Sequence, residues 1–83
     1  MPYITPEARE TLAVGISRVP DTVGELNYLL TKVCFFYYSN KGRNYSAVND
    51  VVGALECAKA EFYRRIAAPY EDKKITENGD VFV

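Results

Sequence analysis

Apolar residues recur at intervals of three and four between Ala47 and Ala68. Val48, Val51, Val52, Leu55, Ala58, Phe62 and Ile66 fall on one stripe of an α-helix, and the spacing predicts a helix over residues 46–68. Ser46 supplies a hydroxyl that can accept from a backbone N–H near Asn49, and Pro69 is expected to end the run, since proline cannot continue the hydrogen-bond ladder. Gly53 interrupts the pattern. It costs about 1 kcal/mol relative to alanine in mid-helix, so something is expected to approach the helix closely there.

The same spacing appears upstream. Val23, Leu26, Leu30, Val33 and Tyr37 form a heptad-like stripe over residues 22–39, and Thr22 with Glu25 fits a capping box at its start. The second half of this helix, Val33 to Tyr38, is apolar or aromatic on every side, which a single antiparallel neighbour does not cover. The surplus is expected to face another subunit, with Phe35, Phe36, Tyr37 and Tyr38, together with Gly53, as the candidate oligomer contact.

Shorter signals complete the chain. Thr5-Pro6-Glu7 starts a short helix that runs to about Ile16, followed by a linker that ends at Asp21. Ser39 to Ser46 reads as a polar connection long enough to return the two long helices antiparallel. In the tail, residues 70–83, Asn78-Gly79 is the strongest short-range signal for a tight hairpin, with Ile75, Val81 and Val83 as strand-type residues around it. The expected fold is therefore mostly α: a short N-terminal helix, two long antiparallel helices and a small C-terminal β-hairpin, in one domain of 83 residues that assembles as a helical homo-oligomer.

Composition narrows the function classes. Ten basic residues against eleven acidic ones give no field for nonspecific phosphate contacts, so nucleic acid is disfavoured as a partner. The longest uninterrupted apolar run, Val33 to Tyr38, is far short of the roughly 20 residues that cross a bilayer, and the acidic N-terminus has no hydrophobic segment of a signal peptide. A cytoplasmic protein is expected. There is no histidine, and the two cysteines, Cys34 and Cys57, stand alone in apolar runs, as buried free thiols rather than metal ligands or a disulfide. A nucleophile with an adjacent base is hard to assemble from these residues, so the chain reads as a non-enzyme without metal or cofactor.

The candidate binding site is the second connection and the helix start beyond it. Lys41, Arg43, Asn44, Tyr45 and Asn49 offer two cations, amide groups, backbone N–H groups at a helix N-terminus and one ring, a set suited to holding a phosphate with a base stacked beside it. The bland alternative is a solvated loop whose tyrosine closes the end of the core. Asn27, Thr31 and Tyr38 on one helix, and Asn49, Gly53 and Glu56 on the other, form polar stripes that suit a close crossing. Glu61 with Arg64 and Arg65 reads as ordinary surface pairing.

Leu26-Asn27-Tyr28, Gly53 to Lys59, Phe62-Tyr63-Arg64-Arg65, Ala68 to Asp72 and Glu77 to Val81, with the Met1-Pro2-Tyr3-Ile4 start, resemble a family of short uncharacterised proteins of tailed bacteriophages and prophages. The resemblance is strongest from Gly53 onward, and Ser39 to Asn44 departs most. It implies no catalytic motif. It implies a small protein that acts by binding, either sequestering a nucleotide-derived signal of bacterial immunity as an anti-defence sponge, or occluding a host enzyme; a structural or assembly role in a phage is the third reading.

Overall fold

The computed structural model describes residues 4–13, 15 and 17–82, and every described regular element is helical. The chain divides between Asn44 and Tyr45 into two units.

In the first unit, α1 spans Pro6–Ala13, and the Thr5 hydroxyl accepts from the Ala8 N–H at 3.2 Å, the cap that the Thr-Pro-Glu signature predicts. The expected run to Ile16 stops short: Gly15 closes a turn onto the Leu12 carbonyl at 3.1 Å, while Val14 and Ile16 lie outside the described residues. Helix α2 spans Val23–Asn40 with Thr22 as its cap, its hydroxyl accepting from the Glu25 N–H at 3.1 Å. Only half of the expected capping box forms. The Glu25 carboxylate accepts from the Asp21 N–H at 2.9 Å instead of reaching the cap residue's own amide.

Glycine chemistry ends α2. The Gly42 N–H donates to the Ser39 carbonyl at 3.3 Å and the Arg43 N–H to the Tyr38 carbonyl at 3.0 Å, the paired bonds of a Schellman motif, with Gly42 at φ 94°. The connection is consequently Lys41 to Asn44, shorter than the eight-residue loop expected from Ser39 to Ser46.

The second unit is helical from Tyr45 to Asn78. Helix α3 spans Tyr45–Phe62, a π-helical turn spans Tyr63–Ala67, and α4 spans Ala68–Asn78. Three expectations are corrected here. Ser46 lies inside α3 rather than capping it. Pro69 does not end the helix but sits in the first turn of α4, directly after the widened turn in which the Ala68 N–H bonds to the Tyr63 carbonyl, five residues back. Proline removes a donor and its ring clashes with the carbonyl four residues earlier, and a π turn at that point relieves the clash without breaking the helix.

The third correction is the tail. No strand occurs among the described residues, so the C-terminal β-hairpin is absent. Residues 70–78 carry helix-type pairs instead: Lys74 to Glu77 at 3.8 Å, and the Thr76 hydroxyl to the Asp72 carbonyl at 3.1 Å. Gly79, at φ 87°, ψ 159°, donates its N–H to the Ile75 carbonyl at 2.8 Å and terminates α4. Asn-Gly thus serves as a helix stop, because the backbone freedom that makes a hairpin turn also makes a C-terminal cap. Val83 lies outside the described residues.

Neither unit has a conventional core. Ala47 is the one buried residue among those described; the stripe of α2, from Val23 through Leu26, Leu30 and Val33 to Tyr37, is exposed throughout, as are Val48, Val52, Leu55, Phe62 and Ile66 of the second unit. Cys34 is half-buried and Cys57 exposed, both free thiols, which corrects the expectation that both are buried.

Candidate functional site

Lys41, Arg43 and Asn44 belong to the first unit, Tyr45 and Asn49 to the second. In the first, the end of α2 turns its cations back onto its own rings. Arg43 is held at φ 57°, a left-handed conformation unusual for a side-chain-bearing residue, and its guanidinium lies 5.2 Å from the Phe35 ring centre. The Lys41 ammonium lies 5.6 Å from the Tyr37 ring, and Lys32 stands 5.9 Å and 5.7 Å from Phe35 and Phe36. Such contacts hold a cation in place while leaving donor edges for a further acceptor. The Asn44 amide donates to the Lys41 carbonyl at 3.0 Å and so fixes the connection.

The rings themselves stand open. Phe35 and Tyr38 meet at 6.4 Å with planes tilted by 43°, while Phe35 and Phe36 remain 45% and 59% exposed. In the second unit, Tyr45 opens α3 and is 78% exposed, and Asn49 lies one turn on, exposed as well. Within its own unit Gly53 faces open space: a Cβ built there meets nothing within 4 Å. Thr31 spends its hydroxyl on the Asn27 carbonyl at 2.8 Å, and Glu56 pairs with Lys59 at 3.5 Å. Glu61 pairs with Arg64 at 3.4 Å and Arg65 at 3.3 Å, as their spacing predicts.

Two polar clusters escaped the sequence reading. Arg18 donates through both terminal nitrogens to the two Glu25 oxygens, each at 3.0 Å, beside an open hollow of about 360 Å³ that Tyr28 and Leu29 also line. The Arg18 guanidinium, with the Asp21 N–H second, holds the Glu25 carboxyl below the usual carboxylate range. Seven residues separate the pair across a proline turn, so helix spacing carries no signal for it. In the second unit, the Tyr63 hydroxyl donates to both Glu71 oxygens, at 2.9 Å and 3.0 Å, across the π turn, which raises the phenol above its ordinary value. Among the described residues no three cysteine or carboxylate side chains form a group that could hold a metal ion, and no helix is long and apolar enough to cross a membrane.

A family model described as "Domain of unknown function (DUF6899)" matches residues 1–81. Neither a curated protein nor a solved structure matches the chain.

Proposed function

We propose that this chain, which belongs to the DUF6899 family, works by non-catalytic protein binding through the apolar and aromatic face of α2. The observation that carries the reading is that neither unit has an interior of its own. Only Ala47 is buried among the described residues, while Leu26, Leu30, Val33, Phe35 and Phe36 stand exposed on one helix. Apolar side chains in such number seldom stay in water, and a partner that covers them supplies the hydrophobic free energy that α2 lacks within its own unit. The tailed-phage origin implied by the resemblance, with occlusion of a host protein or a role in assembly, belongs to this reading, as does a cytoplasmic location.

A dye that reports apolar surface tests it. At sub-micromolar concentration the chain is expected to enhance the fluorescence of anilinonaphthalene sulfonate, and Phe35→Ser with Phe36→Ser to reduce that enhancement several-fold. A chain that leaves the dye dark and unfolds cooperatively at a concentration-independent midpoint contradicts the reading.

One observation favours a second reading, sequestration of a nucleotide-derived anion. Lys41 and Arg43 are both held by ring contacts at the end of α2, which lowers the entropy cost of presenting two cations to a phosphate. Cyclic di- and trinucleotides and ADP-ribose derivatives should then raise the melting temperature by binding the folded state, and Arg43→Glu should abolish the shift. No shift with any of these ligands contradicts it.

A further inference from the structure

We infer that the partner of the α2 stripe is a second copy of this chain, packed antiparallel on it about a two-fold axis near Leu30. This rests on the binding reading above and names its partner. The first argument is exposure: no described part of the first unit covers the α2 stripe, whose residues Val23, Leu26, Leu30, Val33 and Tyr37 are all exposed.

Pattern supplies the second argument. Val23, Leu26, Leu30, Val33 and Tyr37 alternate steps of three and four residues, the seam by which one helix packs along another, and all five are exposed. Charge supplies the third and sets the direction. Asp21 and Glu25 together outweigh Arg18, which pairs with both, and leave the start of α2 net acidic; from Leu26 to Asn49 the chain has no acidic residue but carries Lys32, Lys41 and Arg43. An antiparallel pair places the acidic start of each α2 opposite the basic end of the other, while a parallel pair stacks like on like. With a formal net charge of -1 per chain, two copies scarcely repel each other.

Leu30 is seven residues from both Val23 and Tyr37, the midpoint of the stripe. An axis there brings the two Leu30 positions together and separates the two Val23 positions by about 21 Å along the helix, beyond disulfide reach. The test uses the full chain with Cys34→Ala and Cys57→Ser, carrying either Leu30→Cys or Val23→Cys, under mild oxidation, beside sedimentation equilibrium of the unaltered protein. Expected are a mass at least twice 9.4 kDa, a disulfide-linked dimer from Leu30→Cys and none from Val23→Cys. Linkage at Val23→Cys overturns the antiparallel arrangement, and an associated protein that links at neither position overturns α2 as the contact. A monomer without a cooperative unfolding transition overturns self-pairing while the binding reading stands; a monomer that unfolds cooperatively overturns both.

Discussion

The two units spend their polar side chains differently and arrive at the same deficit. In the first, Arg18, Asp21, Thr22 and Glu25 hold the start of α2, and Gly42, Arg43 and Asn44 hold its end, so that polar contacts fix where the helix begins and stops. In the second, one helical run from Tyr45 to Asn78 passes a proline by widening a turn, and its ion pairs join residues three or four apart. Neither gives its long apolar side chains an interior. Polar chemistry shapes each helix locally, and on the proposed reading the hydrophobic free energy that makes a fold cooperative comes from association.

The change that strikes hardest at this comparison is Leu30→Glu with Val33→Glu, which places charges in the proposed seam. Association should weaken at least ~100-fold, roughly 3 kcal/mol or more, by sedimentation. Unchanged association would remove α2 from the contact. Next is Thr22→Ala: losing this cap should cost about 1 kcal/mol in urea unfolding, with faster amide exchange confined to the first turn of α2. An exchange increase in α3 as well would show that the effect of the cap reaches beyond α2.

Gly53→Ala should have the opposite sign. With nothing within 4 Å of the added methyl, helix propensity alone operates, and stability should rise by up to about 1 kcal/mol. A loss would show that another helix covers this face of α3. The smallest effect is that of pH. Arg18 and the Asp21 N–H lower the Glu25 pKa, so their support is complete above the ordinary glutamate range and fades as pH falls through the lowered value. In a carboxyl titration by NMR, Arg18→Ala should move Glu25 back towards its ordinary range; no movement would show that the pair does not persist in water.

Much of the helical architecture was legible because short polar signals are local. Thr5 and Thr22 accept the amide bonds that their positions predict, and Gly42 turns the chain where a positive φ is needed. Pro69 and Asn78-Gly79 misled because each has two uses: proline fits the first turn of a helix as well as its end, and glycine caps a helix as readily as it turns a hairpin. The polar residues of Tyr70 to Asn78 lack period-two alternation, and their pairs three and four apart decide for helix. At the candidate site, the residue types of Lys41 and Arg43 were legible but their contacts were not. Arg43 reaches a ring eight residues back only through its left-handed backbone, a consequence of how α2 ends rather than of spacing.

The central claim, that these helices complete their core on a second copy, is tested most directly by the urea midpoint of the helical signal across a hundredfold range of protein concentration. The midpoint is predicted to rise steadily with concentration, since mass action favours the associated folded state. A midpoint that stays fixed over the whole range, with a sharp two-state transition, contradicts it.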